Sequence, residues 1–182
     1  IVNMGVAFVH CKSLKEIEVI FADRIDITEF KCNKCSCQLP HERVMVDWVA
    51  HFLVRFKPHI ETSDVVLIDR QPPQGHKCVE QLIFQACRKK AVLIHPRSFQ
   101  SYFRIGSLGY DDRKRWLTIK ARSVFQDSDY AQWVLSKSER VHDVSDALLF
   151  VIYYIHQPKI RRKLEGPNAF PLSANSLNKS ID

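Results

Sequence analysis

Val65-Val66-Leu67-Ile68-Asp69 is an unbroken aliphatic, largely β-branched run closed by an acid. A strand with one wet face alternates polar and apolar side chains. A run with no polar position predicts a strand covered on both faces, as in a parallel or mixed sheet. Asp69 then sits at the carboxyl end of that strand. A loop containing proline and glycine, Gln71 to His76, leads into a helix through Val79, Leu82, Ile83 and Ala86, and then to a short strand, Ala91 to Ile94, ended by Pro96. Strand, helix, strand predicts a right-handed crossover unit.

Working outward, Val6, Phe8 and Val9 continue an apolar strand, and Glu18 to Ala22 forms a second after the polar turn around Ser13 to Lys15. This pair predicts an opening hairpin. Residues 25–41 read as irregular up to Pro40. Val44, Met45, Trp48, Val49, Phe52 and Phe56 then recur at helical spacing, predicting a helix that stops before Pro58. Asp112 to Phe125 predicts a strongly basic helix with Trp116, Ile119 and Val124 inward and Arg113, Lys114, Arg115, Lys120 and Arg122 around the rest. Val144 to His156 predicts a long apolar helix led by Asp143 and Asp146. The expected fold is α/β: a mixed sheet opened by an antiparallel hairpin, completed by crossover strands, with helices on its faces. One domain is expected over 1–157, followed by a basic and polar tail, 158–182, that includes Arg161-Arg162-Lys163.

The composition agrees with a globular chain, since 46% of the 182 residues are apolar and only five are glycine. The 27 Lys and Arg against 20 Asp and Glu leave a net charge of +7, which suits a polyanionic partner and equally a merely soluble basic protein. No apolar run approaches the roughly 18 to 20 residues needed to cross a bilayer, and Ile1 opens no secretory signal. A soluble, unexported protein is expected. Cys11, Cys78 and Cys87 are scattered, which favours a reducing compartment over a disulfide scaffold. The chain opens mid-pattern without Met and reads as a fragment.

Two groups of residues carry chemistry. Asp143 and Asp146, spaced i, i+3, share one helix face and can point with Asp69 at a common centre. Mg²⁺ prefers such oxygen ligands; the plainer alternative is that Asp143 caps its helix and Asp69 merely ends a strand. His142, just before the acidic pair, suits either a surface helix-lead role or a proton carrier. The second group is Cys32-x-x-Cys35-x-Cys37-x-x-x-His41, whose ligand types suit structural zinc, with reduced, unligated cysteines as the alternative. Phe99, Tyr102, Phe103, Arg104, Tyr110 and Arg113 interleave aromatic and basic character, as core plugs or as a base-stacking surface.

Four elements, in order, resemble the poxvirus and mitochondrial RuvC-type Holliday junction resolvases of the ribonuclease H-like superfamily. Ile1-Val2-Asn3-Met4-Gly5-Val6-Ala7 resembles the tail of their opening motif, which begins Asp-x-Gly. Val66-Leu67-Ile68-Asp69-Arg70-Gln71-Pro72 resembles an apolar strand ending Glu-Arg-Gln-Pro. Asp112-Arg113-Lys114-Arg115 resembles their basic helix start, and His142-Asp143-Val144-Ser145-Asp146-Ala147 their closing Asp-x-x-Asp-Ala. The resemblance implies a crossover junction endonuclease: a homodimer that nicks four-way DNA junctions in symmetric pairs with two Mg²⁺ ions, for which Mn²⁺ can substitute. It makes Asp69, Asp143 and Asp146 the metal ligands and Lys114 a contact to the scissile phosphate. It implies an intracellular setting, with viral-factory cytoplasm, nucleus and mitochondrion left open. The chain departs from the pattern twice: the family's first aspartate lies three positions before Ile1, and Asp69 stands where the family usually has Glu. Two alternatives are therefore a catalytically impaired ribonuclease H-like nucleic-acid-binding module and a zinc-stabilised protein that meets a partner through Cys32 to His41.

Overall fold

The structure is a computed structural model that describes residues 2–13, 16–29, 37–137 and 140–157. It is mixed α/β. The hairpin consists of β1 (Asn3–Ser13) and β2 (Glu16–Asp26), antiparallel, with irregularities at Phe8/Val9 and Cys11/Ser13. A 3-10 turn, Ile27–Glu29, follows. Then come α1 (Met45–Arg55), α2 (Lys57–Thr62), β3 (Val66–Asp69), α3 (Lys77–Ala86) and β4 (Ala91–Ile94). The chain continues as α4 (Pro96–Tyr102), α5 (Tyr110–Val124), α6 (Asp129–Lys137) and α7 (Val141–Ile155).

The strand faces explain the apolar run that opened the sequence. Leu67 of β3 packs into a core built by α4, α5, α6 and α7, while Val66 and Ile68 pack into a second core built by α1 and α3. Parallel β4 repeats the division, with Val92 and Ile94 on the first side and Ala91 and Leu93 on the other. Side chains alternate across a strand, so a strand between two helix layers has no polar position to spare. The hairpin obeys the same rule: Ala7 and Val9 face the first core, Met4, Val6 and Phe8 the second.

The sheet itself differs from the expectation. Among the described residues β1 pairs with β2 and β3 with β4, giving two separate two-stranded sheets where one mixed sheet was predicted. Helices that pack across both sheets hold them together. Between them lies a cavity of about 900 Å³, lined by the consecutive residues of β1 and by the consecutive stretch from Thr62 to Asp69, with Ala147, Phe150 and Tyr154 of α7 along one side.

Other differences are local. Pro58 and Pro96 open α2 and α4 rather than merely ending what precedes them, because a helix's first turn needs no N–H from them. On α5 the buried residues are Leu117 and Ala121, with Trp116 and Val124 packed beside them, whereas Ile119 is 67% exposed. Phe99 and Phe103 are core residues, stacked edge-on to each other, and Phe99 also meets Phe150 and Tyr153, so this part of the aromatic segment plugs the core. Residues 158–182, the predicted tail, lie outside the described residues, and no described helix is long and apolar enough to cross a membrane.

Candidate functional site

β1 passes against the start of α7, the helix that carries Asp143 and Asp146. A Cβ placed on Gly5 would fall 1.8 Å from the Asp143 carbonyl oxygen, so only glycine permits this approach. Asp69 at the end of β3, and Asp143 and Asp146 in the first turns of α7, all line the cavity between the sheets. The three predicted acids thus border one cavity, without closing into a compact ligand group among the described residues. Lys114, from α5, joins them: its Nζ lies 2.6 Å from Asp146 Oδ2. The predicted phosphate contact is thus engaged by an acid of the same site. His142 Nε2 lies 3.3 Å from Asp143 Oδ1.

The electrostatics of this group are unfavourable to charge. Burial, then the neighbouring Asp146 carboxylate, pushes Asp69 up to about 6, although Lys114 and a 2.8 Å hydrogen bond from Gln71 Nε2 partly offset the rise. Burial also raises Asp146, against the opposing pull of Lys114. Asp146 Oδ1 is buried with no hydrogen-bond partner among the described residues. An oxygen of this kind costs free energy unless something fills its lone pairs.

A brace absent from the sequence reading holds the strand end. Glu80 of α3 is buried and accepts from the Gln71 backbone N–H at 2.7 Å, from Lys77 Nζ at 2.6 Å and from Gln81 Nε2 at 2.9 Å. Burial drives its carboxyl up, but these hydrogen bonds outweigh burial and hold it below the usual carboxylate range. The only cue in the sequence is the i, i+3 spacing of Lys77 and Glu80.

Among the described residues, the trio whose ligand atoms all lie within 4.8 Å of one another is Cys37, His41 and His51, a cluster that can hold a metal ion. The acid trio is not that compact. Of the four residues predicted to bind zinc, Cys37 and His41 belong to this cluster, while Cys32 and Cys35 lie outside the described residues. His51, hidden in the apolar pattern of α1, was not anticipated.

No protein-family model, curated protein or solved structure matches the chain. What these clusters can do rests on their own chemistry.

Proposed function

We propose that the chain is the body of a ribonuclease H-like, Mg²⁺-dependent endonuclease that nicks four-way DNA junctions. The observation that carries this reading is the buried, unpartnered Asp146 Oδ1 set beside Asp69, Asp143 and Lys114. An orphaned carboxylate oxygen among mutually repelling acids suits a hard divalent cation, which supplies the positive charge that one lysine does not. Asp69, Asp143 and Asp146 would hold Mg²⁺, with Mn²⁺ as a substitute; bound there, the metal polarises a phosphodiester and activates water. Asp69 must shed its proton to serve, which its raised pKa permits above about 6. Once another cation neutralises Asp146, Lys114 is available to a phosphate oxygen. The net charge of +7 favours the DNA partner, and a two-fold homodimer suits a two-fold junction.

The gap between the sheets supports the same reading. It is bordered by the lengths of β1 and β3 and takes in Asp69, Asp143 and Asp146. One observation favours the rival, a non-catalytic nucleic-acid-binding module: the acids do not close to the spacing of a shared ion, and Lys114 already takes the cation's place at Asp146.

A junction assay separates the two. The chain as given and a version extended by Asp-x-Gly directly before Ile1 are compared for binding and Mg²⁺-dependent nicking. Both are expected to bind; the extended version is expected to nick in symmetric pairs. Junction binding without nicking by the extended version establishes the rival. Efficient nicking by the unextended chain overturns the role given to the first aspartate.

A further inference from the structure

We propose that Cys37, His41 and His51 are ligands of a structural zinc ion that fastens the segment before α1 onto that helix. The reasoning begins with one hydrogen bond. His51 Nδ1 lies 2.7 Å from the backbone carbonyl oxygen of Asp47, and a carbonyl only accepts, so Nδ1 carries the proton. The Nε2 atom of the neutral ring then presents its single lone pair. Two groups converge on that lone pair: Cys37 Sγ at 3.6 Å and His41 Nε2 at 3.2 Å. A cation among the three atoms would bind this lone pair together with the other two ligand atoms.

The spacings match zinc. With Zn–N of about 2.0–2.1 Å and Zn–S of about 2.3 Å, a tetrahedral ion sets its nitrogen ligands about 3.3 Å apart and sulfur about 3.6 Å from nitrogen. Two of the three separations, 3.2 and 3.6 Å, match edges of such a tetrahedron, and all three ligand atoms lie within 4.8 Å of one another. The ligand types agree, since imidazole and thiolate select borderline-soft ions over Mg²⁺. The Asp47 carbonyl supplies the outer hydrogen bond that metal-binding histidines normally make, fixing tautomer and ring orientation.

The surroundings are built to hold the arrangement. Asp47 is 5% exposed, and its Oδ2 accepts from the Glu42 backbone N–H at 2.7 Å, tying the residue after His41 to the first turn of α1. Arg43 adopts a left-handed backbone, φ 61°, which turns the chain sharply between His41 and the helix. On α1, His51 is followed directly by Phe52, buried in the second core. None of the three ligands lines the cavity that holds the acids, so the role is structural and independent of the nuclease reading.

The test uses the full chain, purified without a histidine tag, with zinc measured by elemental analysis and the site probed with Co²⁺ alone. About one zinc per chain is expected, with a tetrahedral cobalt spectrum showing a thiolate charge-transfer band. His51→Asn is expected to drop zinc below about a tenth per chain, while Cys11→Ser, remote from the cluster, retains it. Should His51→Asn fail to fold, His51→Cys provides the check: it is expected to keep zinc and strengthen the thiolate band. Zinc retained in full by folded His51→Asn overturns the assignment and leaves the sequence-contiguous set Cys32, Cys35, Cys37 and His41. So does a six-coordinate cobalt spectrum, or a parent chain that binds no zinc.

Discussion

The acid cluster between the sheets and the Cys37–His41–His51 cluster beside α1 both gather side chains of metal-ligand type, and they differ in how their charges are arranged. At the first, Asp69 and Asp146 are half-buried, one oxygen of Asp146 has no hydrogen-bond partner among the described residues, and Lys114 neutralises only part of the charge. At the second, imidazole and cysteine sulfur meet within 4.8 Å of one another, two of the separations matching a tetrahedron's edges, with the tautomer of His51 already set by a backbone carbonyl. Proteins tolerate unfavourable electrostatics where ligands or chemistry use them, and satisfied geometry where only stability is needed. On the proposed readings the first cluster would carry chemistry and the second would serve folding.

The largest effects that sharpen this contrast are catalytic. In a version carrying Asp-x-Gly directly before Ile1, Asp143→Asn and Asp146→Asn are each expected to reduce junction nicking by about a hundredfold or more while sparing junction binding, because on the proposed function the acids would hold the metal and the basic residues would contact the phosphates. Single-turnover cleavage and gel-shift assays on the same samples check both halves. A rate within a few-fold of the parent removes that acid from the ligand set. Substituting His51 is expected to lower the melting temperature without changing the nicking rate of the chain that remains folded.

A backbone test comes next. Gly5→Ala places a methyl group where the Asp143 carbonyl sits, so β1 or the start of α7 must move; overpacking of this kind costs about 1–3 kcal/mol. Denaturant unfolding measures the loss. A stability equal to the parent's means that β1 does not pass α7 this closely. Because the same contact positions Asp143, nicking is expected to fall as well.

A smaller effect follows from pH. Between pH 3.8 and about 6, folded Asp69 keeps a proton that the unfolded chain has already released. Its contribution to stability is therefore fully present below 3.8 and is lost as pH rises through about 6. At about 1.4 kcal/mol per unit, the full shift corresponds to at most about 3 kcal/mol. In metal-free protein, Asp69→Asn is expected to remove this decline, so the variant gains on the parent at pH 7.5 and not at pH 4. Parallel stability curves for parent and variant across that range contradict the raised pKa.

Much of the fold was legible because local pattern and burial coincide. The 65–69 run reads as a doubly covered strand for the same reason that its side chains divide between two cores, and the i, i+3 spacing of Asp143 and Asp146 places both on one face of α7. Pairing between strands far apart in sequence was not legible: nothing local states whether β1 lies beside β3, and the expected continuous sheet is two sheets. Single polar residues embedded in amphipathic helices also escaped. Glu80 and His51 look like ordinary helix positions until the tertiary structure delivers Gln71 to one and His41 to the other. Ile119 misled in the opposite sense, as an apolar side chain on the exposed face of a basic helix.

The central claim is that a divalent cation binds among Asp69, Asp143 and Asp146, and the most direct measurement is the side-chain carboxyl titration of Asp69 by carbon-detected NMR, with and without Mg²⁺. Without metal, the apparent pKa is predicted near 6. Saturating Mg²⁺ is predicted to lower it, since a bound cation favours the carboxylate and reverses the repulsion from Asp146. Asp146→Asn is predicted to lower the metal-free value as well and to weaken the response to Mg²⁺. An Asp69 pKa that stays near 6 at saturating Mg²⁺ and Mn²⁺ contradicts the claim.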